Sequence, residues 1–290
     1  AKERLSMRAI SGKKDPEQVA DAIIDNDDVR CMLLTQKAIA EGGRAMIYHA
    51  AQLADKMTDA LTQGDQAKFE EYDDKLGFYT PILKGFLTEL GLEAANHGMQ
   101  VFGGHGYIKE HGMEQIARDA RIATLYEGTT GVQALDLIGR KVLLSSKGKV
   151  VRDYTAEILR FCGRHAPNKY MRRFAWDLTK ICAQWNALTV RLMLAARKDR
   201  DIVSSASVDF LMFSGYAMMA YYWAQQAAVA SEKLESGNGA ETPEFYKAKI
   251  KVADFYFERI LPRTQGHAEA MVNPSKTMIS LAPEHFSFDY

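Results

Sequence analysis

Apolar residues fall at 29, 32, 33, 39, 40, 46, 47, 50, 53, 54, 57, 60 and 61. That nearly heptad stripe predicts an amphipathic helix over about 29–61, long enough for a bundle. Asp27 or Asp28 is placed to cap its start. After a polar T-Q-G-D turn the helical pattern resumes from Gln66 to Phe102, where Pro81 predicts a break or kink. The glycine-rich stretch Gly103–Gly112 ends it, and shorter helices are expected over 114–124 and 131–144. Beyond a polar joint, S145-S-K-G-K149, helical patterns cover about 150–163, 168–198, 204–235 and 243–261, with a loop at 236–243. No stretch sustains strand alternation, and no repeat of solenoid type is present. The expected fold is all-α. An antiparallel, up-and-down four-helix bundle over residues 1–148 precedes a second helical bundle, an extension over residues 149–290.

Composition narrows the function classes. The chain has 290 residues, 47% hydrophobic, enough for one large core or two smaller ones. Its formal net charge of zero gives no basic excess for nucleic acid and no acidic tail. Apolar runs are short and broken by charge, so neither a membrane span nor a leader is expected, and the expected location is the cytoplasm. Cys31, Cys162 and Cys182 stand singly, without CxxC spacing. They are expected to be buried thiols of a reducing compartment, not a disulfide frame or a zinc site. The chain opens A-K-E-R-L-S-M-R without an initiating Met, and is expected to be a piece of a longer protein.

Two short stretches stand out chemically. In Q100-V-F-G-G-H-G106, glycines at 103, 104 and 106 let backbone N–H groups approach a bulky or anionic ligand. Taken alone, such a stretch is more often a helix end and loop, and it is not a dinucleotide fingerprint, because it follows a helix. In Y126-E-G-T-T-G131, Glu127 sits beside Gly128 where the helical pattern breaks, and Thr129 or Thr130 can cap the next helix. Alone, that is a capping turn with a solvated glutamate. His97, His105 and His111 lie near Glu110 without a helical i, i+4 histidine pair, so no metal site is expected. The run F210-L-M-F-S-G-Y-A-M-M-A-Y-Y-W223 is expected in a core or a subunit interface, and K247-A-K-I-K251 on a solvated helix face.

In combination these stretches carry more. Q100-x-x-G-G-x-G106, then R118-D119, then Y126-E-G-T129, within one window and in this order, closely resemble the C-terminal helical domain of the acyl-CoA dehydrogenase family. The opening A-K-E-R-L-S-M is similar to that family's E-R-x-T-F segment, and the part after Lys149 resembles the C-terminal extension of a bacterial fatty-acid subgroup.

The resemblance implies an FAD-dependent oxidoreductase that desaturates acyl-CoA thioesters between the α and β carbons. It assigns Glu127 as catalytic base, with Tyr126 and Gly128 beside the substrate. The Glu127 backbone N–H is implied to polarise the thioester carbonyl, and an apolar acyl pocket to raise the carboxyl's pKa. Gln100, Gly103 and Gly104 map onto the turn that meets the FAD of a neighbouring subunit, Thr129 onto a second FAD contact, and Arg4 and Ser6 onto the pyrophosphate-binding segment. A homodimer or dimer of dimers follows, with an electron-transfer flavoprotein as the implied acceptor. Arg118 and Asp119 read as an ion pair holding the loop. The sequence departs from the family pattern at Met7, Gln115 and Gly131. The N-terminal and β domains of the family lie outside this chain, so the chain alone is expected to bind FAD poorly and to lack turnover. Rival readings are an acyl-CoA oxidase, which passes electrons to oxygen, and a non-catalytic helical scaffold for assembly.

Overall fold

A computed structural model of the chain describes residues 1–273 and 275–287. Two 36-residue helices, α1 (Asp27–Thr62) and α2 (Gln66–Val101), form an antiparallel pair joined by the Gln63–Asp65 turn. Asp65 caps α2 by accepting from the Lys68 N–H. The short α3 (Gly104–Tyr107) and α4 (Met113–Ile122) fold back along the end of α2. Helix α5 (Thr130–Leu135) runs on as π-helix through Asp136–Ser145. Then come α6 (Lys149–His165), α7 (Arg172–Ala195), α8 (Asp201–Ser205), α9 (Ser207–Ser236) and α10 (Pro243–Phe255), the last continuing in π and 3-10 turns to Arg263. Helices α11 (Thr264–Met271) and α12 (Lys276–Ile279) and a 3-10 turn over Pro283–Phe286 close the described chain.

Helix α9 explains how the two halves join. Its run from Phe210 to Ala224 is buried almost throughout, so the helix is apolar on every side, as a central helix must be. It packs on α1, α2 and α5 on one side and on α7, α10 and α11 on the other. One buried cluster therefore runs from Ala38 and Phe78 in the first half to Trp185 and Tyr256 in the second. Small residues let the backbones close. Gly215 leaves room for the Phe86 ring, Gly85 for Leu211, and Gly42 for Trp223 and Met219. The Trp223 indole N–H donates to the Ala38 carbonyl at 3.1 Å, so this buried polar atom is satisfied.

Several sequence expectations are corrected. Asn26, not Asp27 or Asp28, is the N-cap of α1, and no side chain caps it; both aspartates fall inside the first turn, where negative charge is favoured. Helix α2 is not broken at Pro81, which is buried in a face that tertiary packing holds helical. Cys31 is exposed because it lies off the heptad seam of α1, whereas Cys162 and Cys182 are buried, and burial pushes the Cys182 thiol up to about 12. Lys249 is not merely solvated: it pairs with Glu41 on α1 at 2.8 Å and lies over the Phe245 ring. The expectation of a helix ending near 261 misses α11, because the chain passes Pro262 through a π turn and a 3-10 turn and continues helical to Met271.

Before α1 the chain is irregular and organised by one carboxylate. Asp21 is 1% exposed and accepts from the N–H groups of Ala9, Lys14 and Asp15 and from the Arg8 guanidinium. These donors, the Ala9 N–H foremost, hold its carboxyl well below the usual carboxylate range despite burial. Together with the Leu5–Ala22 bridge they fix a loop whose base lies beside the end of α2.

Candidate functional site

The Tyr126–Thr129 stretch leaves helical geometry abruptly. Glu127 has φ 54° and Gly128 φ 89°, two consecutive residues in the left-handed region. For a glutamate that conformation costs about 1–2 kcal/mol, so something must hold it. Two bonds do. Lys84 of α2 donates to the Gly128 carbonyl at 2.5 Å, and the Gln133 side chain of α5 donates to the Glu127 carbonyl at 3.1 Å. A charge-assisted bond contributes roughly 1.5–3 kcal/mol and a neutral one about 1, enough to offset the strain. The Thr129 hydroxyl accepts from the Val132 N–H at 3.4 Å and caps α5, deciding between the two threonines of the motif. Thr130 instead donates to Glu89 at 2.5 Å. One stretch of α2 thus serves as a platform: Lys84 reaches Gly128, Gly85 admits Gln133, and Glu89 takes Thr130. A side chain at Gly128 would strike the Gln133 amide, 2.9 Å from the position of a Cβ.

Glu127 and Tyr126 are exposed, Tyr126 by 54%. The apolar enclosure expected around the carboxylate is therefore not built by this chain alone. Leu125, Val132 and Leu135 expose apolar surface beside it.

The other expected residues gather elsewhere. Arg4, Ser6, Gln100, Gly103 and Gly104 line one cleft of about 480 Å³ between the N-terminal loop and the end of α2. Gly103 has φ 61°, and no atom lies within 4 Å of a Cβ built at Gly103 or Gly104, so the turn faces open space. His105 and His111 also line it, their rings 5.4 Å apart. Sequence reasoning placed these histidines only in a discarded metal cluster. Among the described residues no three potential ligands gather into a metal site. From Lys84 to Gln100, α2 rises about 24 Å, so cleft and turn stand well apart on one chain. Thr129 stays with the turn, away from the cleft.

Arg118 does not pair with Asp119. It bonds Glu114 at 2.8 Å on the exposed face of α4, because i, i+4 neighbours share a helix face and adjacent residues do not. Lys84 and Gln133 were missed, and no local pattern marks them; their partners are main-chain carbonyls of a segment 44 and 6 residues away.

A helical scaffold that exposes Glu127 on a strained turn, with a glycine cleft lined by Arg4 at the end of the same long helix, is the class that fold and site define. Residues 3–143 match the family described as "Acyl-CoA dehydrogenase, C-terminal domain", and residues 154–282 match "Acetyl-CoA dehydrogenase C-terminal like". The chain is 35% identical over 97% of its length to the 3-methylmercaptopropionyl-CoA dehydrogenase of Ruegeria pomeroyi, covering 46% of that protein. It is 32% identical over 90% of its length to the broad-specificity linear acyl-CoA dehydrogenase FadE5 of Mycobacterium tuberculosis, covering 43% of it. An acyl-CoA dehydrogenase from Bacillus anthracis solved with FAD superposes with a TM-score of 0.65 at 16% identity, over 91% of this chain and 46% of that one, which supports the fold. The chain belongs to the acyl-CoA dehydrogenase family and corresponds to its C-terminal helical part. It spans about half the length of the curated relatives it matches. Among the described residues no helix is long and apolar enough to cross a membrane.

Proposed function

We propose that this chain is the base-bearing part of an FAD-dependent enzyme that desaturates an acyl-CoA thioester, with Glu127 as the base. The observation that carries the reading is the glutamate held at positive φ by two independent clamps. A scaffold has no use for a strained, exposed carboxylate. In the proposed step the α C–H bond breaks, its proton goes to the Glu127 carboxylate, and its electron pair becomes the second bond between the α and β carbons. The β-hydrogen leaves as hydride, and accepting it is the chemistry that bound FAD supplies. The Glu127 backbone N–H, part of the same left-handed turn, is the proposed donor to the thioester oxygen. Tyr126 flanks the acyl group, and Gly128 keeps side-chain bulk away from it. The missing apolar enclosure of Glu127 is assigned to a partner surface resting on Leu125, Val132 and Leu135.

The cleft residues fit the anionic part of the cofactor: Arg4 supplies a cation, Ser6 and Gln100 supply donors, and Gly103 and Gly104 leave space for it. The roughly 24 Å along α2 between cleft and turn supports a site shared between copies, the cleft holding the FAD that faces a neighbouring chain's glutamate. A homodimer or dimer of dimers, with little FAD binding or turnover by this chain alone, is the corresponding proposal. The proposed electron acceptor is an electron-transfer flavoprotein. It is favoured by 30% identity over 131 residues to a caffeyl-CoA reductase–Etf complex subunit of Acetobacterium woodii. The test follows flavin absorbance anaerobically in the complete enzyme after adding acyl-CoA. Bleaching in wild type with a rate loss of about 10²-fold or more in Glu127→Gln is expected. Equal bleaching would place the base elsewhere. Rapid reoxidation by air would favour an oxidase, and no bleaching in either form a scaffold.

A further inference from the structure

The geometry points to Lys84 as a positioning residue for the Glu127 turn, acting on the backbone and not on the carboxylate. The inference rests on the reading of Glu127 as base. Lys84 lies in the middle of α2, half-buried. A half-buried ammonium ordinarily finds a carboxylate, yet among the described residues Lys84 forms no salt bridge. Its close partner is the main-chain carbonyl of Gly128, 2.5 Å away, and its ammonium lies 6.0 Å from the centre of the Tyr126 ring. It therefore bonds the residue after Glu127 and lies near the ring of the residue before it.

Of the contacts that shape the turn, this one alone ties it to another long helix at the glutamate itself. Gln133 and the Thr129 cap both belong to α5, the helix that follows the turn in the chain, and Thr130 binds Glu89 beyond it. Without Lys84 the Gly128 carbonyl can rotate, and Glu127 is free to leave the left-handed region for a commoner conformation. Both groups that the proposed chemistry uses, the Glu127 carboxylate and its N–H, then lose their aim together. A displacement of about 1 Å is enough to slow a positioned reaction about 10²-fold. Binding of the thioester, spread over many contacts, changes far less.

The test uses the complete enzyme for both flavin reduction and amide hydrogen exchange. Glu127→Gln is measured first; a variant that reduces flavin at the wild-type rate removes the base reading, whatever Lys84 does. With that reading intact, Lys84→Met is expected to slow single-turnover flavin reduction by about 10²-fold with KM nearly unchanged. The kinetic isotope effect from α-deuterated substrate should rise, since proton removal becomes the slow step. Lys84→Arg, which keeps a donor of similar reach, should recover most of the rate. Exchange of the amides from Gly128 to Gln133 should quicken about tenfold in Lys84→Met, while the α1–α2 core exchanges as before. Wild-type flavin reduction in Lys84→Met overturns the proposal. So does slow reduction with unchanged turn exchange, or with no recovery in Lys84→Arg. Should Lys84→Met fail to fold, Lys84→Gln carries the same comparison.

Discussion

The crossing of α2 with α9 and the Glu127 turn fix their residues by opposite means. At the crossing, Gly85 and Gly215 are opened so that the buried Leu211 and Phe86 side chains can fill the space. Position there is set by excluded volume and by many weak contacts at once. At the turn, an exposed glutamate is held in a strained conformation by a few directional bonds from Lys84, Gln133 and Thr129. A core of the first kind tolerates the loss of one contact but not the arrival of an atom. A turn of the second kind admits new atoms on its exposed side but depends on each bond. Stability resides in the first and, on the reading proposed here, chemistry in the second.

The comparison breaks most visibly at Gly215. Gly215→Val places carbon inside the Phe86 ring and should cost about 3 kcal/mol or more, or prevent folding. Denaturant titration checks it, with Glu127→Gln expected within about 0.5 kcal/mol of wild type alongside. A tolerated valine would mean that α9 is looser than described.

A smaller effect is expected where the second half is tied to the first by charge. Arg263 makes a bidentate pair with Glu93 of α2, both bonds 2.8 Å, and also donates to the Tyr216 hydroxyl. Both side chains keep partial contact with water, so Arg263→Met should cost about 1 kcal/mol and diminish with salt. Equal loss at low and high salt would point to packing of the arginine stem instead.

Thr129→Ala removes the cap of α5 and should cost about 0.5–1 kcal/mol, the low end because the bond is long. Its effect should be confined to exchange of the first-turn amides of α5. Global destabilisation would show that turn and core are coupled.

The smallest expected effect is one of pH. His49 lies beside the Tyr79 and Tyr222 rings, and burial lowers its pKa from the ordinary 6.5. The unfolded chain takes up that proton more readily than the folded one. Stability from this residue is therefore complete above about 6.5 and declines as the pH falls below it. The melting temperature should drop modestly from pH 7 to 5, and by less in His49→Phe; an identical drop in both would assign the pH response to other groups.

What could be read from the sequence follows the same division. The apolar period of α1 and the unbroken apolar run of α9 were legible because burial selects side chains position by position. The motif around Glu127 was legible as a combination of residues too specific for an ordinary turn. The joint at Ser145–Lys149 was visible, with Lys147 and Gly148 at positive φ, but the shared core across it was not. Whether α9 closes a bundle of its own or completes the first one depends on contacts more than 100 residues apart, such as Trp223 with Ala38. Lys84 was silent for a related reason. It serves a backbone carbonyl, and a carbonyl has no residue identity that a pattern could reveal. The exposure of Glu127 was hidden because the apolar pocket implied by the resemblance is not formed by this chain.

The most direct test of the central claim separates proton removal from redox chemistry. The complete enzyme is placed in D2O with a 3-thia-acyl-CoA, whose β position carries sulfur and has no hydride to give, and loss of the α-proton signal is followed by NMR. The account predicts exchange by wild type, and in Glu127→Gln a fall of about 10²-fold or more while denaturant stability stays unchanged. Exchange in Glu127→Gln at the wild-type rate would contradict it.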